Sequence, residues 1–191
     1  MAAFEVATSA DGTTWVGHHE CTTTDASVTF GSISVADEYI KQTYDHLLLV
    51  VSARGDKSAY LDYYKLSFND DSIAGTGYSY TELEAYSLTP VSNRNSGQGY
   101  IRFDGLVGAS ALANTFGTTK IWIPNYSQTA NFTEASVQWT HPNDSATDDQ
   151  WGIGIVAGLR STTGAITQIT IGAGDNFVQY STFTLYGVTG A

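Results

Sequence analysis

The feature that most constrains this chain is a rhythm. Short apolar or alternating runs are separated by clusters of Gly, Asn, Asp, Ser and Pro, and nowhere does a helical period persist. Leu47–Ala53 is a continuous apolar run, short enough for a strand buried on both faces. Ser27–Ser34, Leu61–Phe68, Gly99–Leu106, Thr119–Ile123 and Ala135–Thr140 alternate apolar with polar residues, and turn residues such as Asn69-Asp70-Asp71 and Pro124-Asn125 close several of them. Trp151–Leu159 is apolar with glycines, Ala165–Ile171 alternates imperfectly, and Phe177–Tyr186 reads as the closing strand. Ser79–Leu88 is the best helical candidate and equally a strand with an edge. The Gly/Ser/Asn stretch 92–99 reads as a long exposed loop, and 109–117 as a loop or short helix. Strands at this spacing predict an all-β protein, a two-sheet antiparallel jelly-roll sandwich. Residues 1–25 are expected to be a short N-terminal arm holding Trp15, ordered only against a neighbour, and 26–191 a single domain.

Composition agrees with strands. Charged residues make up 14%, against roughly 25% in an average domain, whereas exposed helical faces recruit Glu, Lys and Arg. A formal charge of −11 disfavours nucleic-acid partners. The one cysteine, Cys21, excludes an intrachain disulfide and a thiolate cage. No run approaches the ~20 apolar residues of a membrane helix, and the first residues lack the basic and apolar regions of a secretory signal. No membrane partner is therefore expected, and the chain is expected to fold in a cytoplasm. The triplets at Asn125, Asn131 and Asn143 read as chance glycosylation signals in a Thr/Ser/Asn-rich chain.

Phe30-x-x-Ile33 is followed by Gln42-Thr43-Tyr44-Asp45-His46-Leu47-x-Leu49 and then Arg54, and an aromatic-rich strand ends at Asn69-Asp70. The last strand ends in Leu185-Tyr186-Gly187. This order of motifs resembles a group of tailed-bacteriophage and marine-virus structural proteins, which carry a Tyr-x-His-Leu element early, an Asn-x-Asp turn after the next strand and a terminal Leu-Tyr-Gly. The chain departs from that pattern at Ser34–Lys41, which lengthens the connection and lacks the usual proline. The resemblance implies a virion component made in the host cytoplasm. Its expected partners are itself, as a trimer for preference, and other virion proteins, the major capsid protein first. It also implies that Tyr44, His46, Leu47 and Leu49 open a core strand. Tyr44 and His46 would share one face, the histidine pinning the register with its ring against Tyr44.

Chemical constellations are sparse. There is no Gly-x-Ser-x-Gly elbow. In His18-His19-Glu20-Cys21 only His19 and Cys21 share a strand face, and no second ligand pair follows, so no metal or cofactor is expected. The acidic residues of 141–150 and Asp70-Asp71 read as solvated turns rather than calcium loops. No nucleophile, base and stabiliser assemble, so an enzyme is not expected. Tyr78, Tyr80 and Tyr86, with Trp15, are the candidate assembly aromatics. The expected function is a non-enzymatic capsid decoration or cement protein. The alternative is a tail-fibre or receptor-binding module recognising host-surface glycan.

Overall fold

The computed structural model describes residues 15–33, 38–69, 76–86, 89–142 and 151–189. It is a sandwich of two antiparallel sheets. Twelve strands are described: β1 (Trp15–Glu20), β2 (Asp25–Gly31), β3 (His46–Ala53), β4 (Leu61–Phe68), β5 (Tyr78–Tyr86), β6 (Thr89–Gln98), β7 (Ile101–Val107), β8 (Gly117–Pro124), β9 (Phe132–His141), β10 (Gly152–Thr163), β11 (Gln168–Phe177) and β12 (Thr182–Val188). The long sheet runs β1-β12-β3-β8-β9-β10-β5-β6, and the short one β2-β11-β4-β7. Among the described residues no helix is long and apolar enough to cross a membrane.

The alternating runs fold as their pattern requires. In β4, Tyr64, Leu66 and Phe68 are fully buried, and in β9, Ala135, Val137 and Trp139 point inward while their neighbours face out. Phe103, Phe177 and Phe183 complete the aromatic centre: Tyr64 stacks on Phe103 at 4.9 Å and Phe177 meets Phe183 edge-on at 4.8 Å. Such pairs add about 0.5–1.5 kcal/mol beyond their burial. At the end of β4, Asn69 takes a left-handed backbone (φ 50°). Its amide oxygen accepts from Thr167 N and Gln168 N, and its amide nitrogen donates to Ala165 O.

Several expectations are corrected. Of the two readings open for residues 79–88, the described part takes the strand: Tyr78–Tyr86 is β5. Most of 92–99 is not a loop but part of β6, an edge strand exposed or half-exposed along its length. Its residues look like a loop because neither face is apolar; the ladder to β5 holds it. Proline and polar residues on such an edge also block pairing with another chain. β3 is buried on one face only, with Leu48 and Val50 half-covered on the other. Within the expected arm, Trp15–Glu20 instead forms β1, paired with the chain's own β12. Residues 109–116 form a loop pinned by Arg54, whose guanidinium donates to the carbonyls of Ala109, Ala111, Leu112 and Thr115 at 2.7–3.1 Å.

Candidate functional site

Strand β10 inverts the usual rule. Gly152, Gly154, Val156 and Gly158 face inward, while Ile153 and Ile155 face solvent at 59% and 52% exposure. The inward glycines are dictated by what lies over them. A Cβ at Gly154 would sit inside the Trp139 indole, and one at Gly158 would press on Ile101. Tyr86 joins the same layer, 5.8 Å from Trp139. The outward isoleucines have no such reason. Ile155 pairs with Leu83 of β5, itself 53% exposed, and Ile153 pairs with Ala85, which pairs in turn with Pro90. These residues line an apolar depression of about 320 Å³. Ile153 also borders a shallow hollow of about 600 Å³ reaching Leu112, Pro142 and Trp151. The two hollows make one continuous apolar surface, unlike the scattered single exposed residues that need no explanation.

A more polar groove lies on the same outer face. One part, about 490 Å³, is lined by Ser79, Thr81, Arg94, Trp122, Glu134 and Ser136. A second, about 510 Å³, shares Pro124, Glu134 and Leu159 with it and extends to Asn131 and Phe132.

His46 opens β3 opposite Val188 and Pro124, and its Nδ1 accepts the backbone N–H of Asn125 at 3.1 Å. Its ring packs on Trp122 (4.9 Å) rather than on Tyr44. Tyr44 lies over Gly187, where any Cβ would collide with its ring. The Tyr-x-His element and the terminal Leu-Tyr-Gly, distant in sequence, are thus side by side, with Leu47 paired to Gly187 and Asp45 N–H donating to Val188 O. Leu47 and Leu49 are fully buried. Trp15 opens β1 opposite Tyr186. Tyr78 and Tyr80 are inward core residues at 1% and 6% exposure, so they present no surface to a partner. The Tyr78 hydroxyl accepts from Phe68 N–H. Sequence reasoning missed the exposed face of β5 and β10. Its signal was the Gly-Ile-Gly-Ile alternation.

Two clusters carry ionisable groups. Tyr86 Oη lies 2.6 Å from Asp104 Oδ2 and 3.1 Å from Glu84 Oε2. The hydroxyl points to both carboxylates, with the shorter contact to Asp104. Burial, then Glu82 and Asp104 nearby, raises Glu84 to about 7, against the lowering effect of the Tyr86 hydroxyl. Burial, then Asp104 and Glu84, pushes the Tyr86 phenol far up. The three groups satisfy one another, and Arg102 closes the set at 3.3 Å from Asp104. At the other end of the long sheet, His19, Cys21 and Asp25 place their donor atoms within 4.8 Å of one another. His19 Nε2 is 3.0 Å from Asp25 Oδ2. Burial first, then Asp25 and Glu20, pushes the Cys21 thiol up to about 12. Among the described residues, these three are the group that could hold a metal. His141, deeply buried, places its Nε2 3.1 Å from Tyr60 O, and burial lowers its pKa. The acidic stretch at 143–150 and Asp70-Asp71 lie outside the described residues.

No family model matches the chain, and no curated protein matches it.

Proposed function

We propose that the protein is a non-enzymatic structural component of a virion, a decoration or cement protein on the outer head surface, acting as a homo-oligomer. The observation that carries this is the continuous apolar surface at Leu83, Ile153, Ile155 and Trp151. These side chains are already about half covered, so covering the rest gains roughly half of the ~1.5–3 kcal/mol of full burial for each aliphatic one, which is the driving force an assembly contact uses. The chain passes repeatedly between the two sheets, with β2, β4, β7 and β11 in one and their sequence neighbours in the other. That wiring supports a jelly-roll reading of the sandwich. The setting rests on the likeness to phage structural proteins in Tyr44–Leu49 and Leu185–Gly187. A charge of −11 suits a component that faces outward, away from packaged DNA. A trimer, with the major capsid protein as its other partner, is the assembly this reading expects.

A second reading, glycan recognition from the tail, is favoured by the groove of Trp122, Arg94 and Glu134. An aromatic face beside paired donors and acceptors suits a sugar ring. Immunogold labelling of purified virus particles with antibody to this protein separates the two. Label over the heads is the expected result. Label confined to tails transfers the argument to the groove, and unlabelled particles overturn both.

A further inference from the structure

We propose that His19, Cys21 and Asp25 form a zinc site that fastens the N-terminal strand across both sheets. His19 lies in β1 of the long sheet and Cys21 directly follows that strand; their donor atoms meet that of Asp25, which opens β2 in the short sheet. The connection between these strands is short, so the turn brings a third donor to the two at the end of β1. Sequence reasoning found the His19–Cys21 pair but looked for its complement in a second pair elsewhere. The complement is a single carboxylate delivered by the crossover.

The geometry is close to what the ion requires. Tetrahedral zinc, with Zn–S near 2.3 Å and Zn–N and Zn–O near 2.0–2.1 Å, sets its donors roughly 3.3–3.6 Å apart. All three donor atoms lie within 4.8 Å of one another, and His19 and Asp25 are already at 3.0 Å. Closing on an ion therefore takes side-chain movements of about one ångström. The backbone around the sulfur is fixed. Cys21 N–H donates to Ser181 O and Tyr180 N–H donates to Cys21 O, both at 2.9 Å. The His19 ring rests near Phe183, 6.3 Å between centroids. Thiolate with imidazole and carboxylate is a borderline-soft donor set that selects zinc over calcium or magnesium. The ion displaces the thiol proton to solvent. It also takes the lone pair of His19 Nε2, leaving the imidazole proton on Nδ1. Water fills the fourth position.

The rival account is a closed hydrogen-bond cluster in which thiol and imidazole share Asp25 with no ion. Titration of chelator-stripped full-length protein with zinc chloride separates them. The expected result is a rise in Tm of roughly 5–10 °C at a hundredfold excess over Kd. Cobalt(II) in place of zinc is expected to give tetrahedral d–d bands with a thiolate charge-transfer absorption, lost in Cys21→Ser. His19→Ala is expected to lose the Tm rise. His18→Ala is expected to keep both signals, because His18 points to the other side of β1, where its Nδ1 lies 2.9 Å from Thr184 Oγ1. Should Cys21→Ser fail to fold, Asp25→Asn at the half-exposed ligand gives the same comparison. No Tm shift with millimolar zinc, or a cobalt spectrum unchanged by Cys21→Ser or by Asp25→Asn, overturns the proposal.

Discussion

The two faces of β10 are made of opposite materials for opposite reasons. The inner face is glycine because Trp139, Tyr86 and Ile101 from other strands occupy the space a side chain would need. The outer face is isoleucine although nothing among the described residues covers it. A strand that served only the fold would place its isoleucines inside and small or polar residues outside. The inner face is thus explained by packing within the chain. The outer face asks for something outside it.

The largest expected effects break the inner face. Trp139→Ala empties the layer over the glycines and should cost about 3–5 kcal/mol in denaturant unfolding. Gly154→Ala overfills the same layer and should cost about 1–3 kcal/mol, more if the indole cannot shift. If instead Gly154→Ala were neutral, the packing explanation for the inward glycines would be wrong.

The polar edge of the inner face gives a pH-dependent test. Glu84 rises from 4.5 to about 7 on folding. A raised folded-state value means that the native protein binds the proton more tightly. That contribution is fully present below about pH 4.5 and is lost as the pH rises through 7. Glu84→Gln should therefore raise stability at pH 8 by about 2–3 kcal/mol and change little at pH 4. Melting curves at the two pH values check it, and an equal effect at both would contradict the raised value at Glu84.

A smaller effect concerns the seam where the Tyr-x-His-Leu element meets the terminal Leu-Tyr-Gly. His46→Ala removes one hydrogen bond to Asn125 N–H and the contact with Trp122. It should lower stability by about 1 kcal/mol and disturb the outer groove, leaving the apolar face intact.

Much of the fold was legible because one buried face writes a period of two into the sequence. β4 reads directly from Leu61 to Phe68, and β9 from Val137 and Trp139. β6 was not legible, since an edge strand exposed on both faces has no apolar period to display. β1 was hidden in a polar segment that joins the sheet through backbone pairing with β12. Tyr78 and Tyr80 looked like surface aromatics because residues 79–88 admitted both helix and strand; as a strand, one parity carries them inward. His46 was read well in its bond to a neighbouring backbone but misplaced against Tyr44, because Trp122 arrives from β8, far away in sequence. The apolar face was visible only as glycine mixed with isoleucine. Which of the two points inward depends on the large side chains of other strands.

The smallest effect on folding carries the most weight for function. Ile153→Asp with Ile155→Asp changes two exposed positions and should alter stability by no more than about 0.5 kcal/mol per site. Sedimentation velocity on the wild type and this double variant tests the central claim most directly. The account predicts a concentration-dependent oligomer for the wild type and a folded monomer for the variant. A wild type that stays monomeric at high concentration, or a variant that assembles as the wild type does, would contradict it.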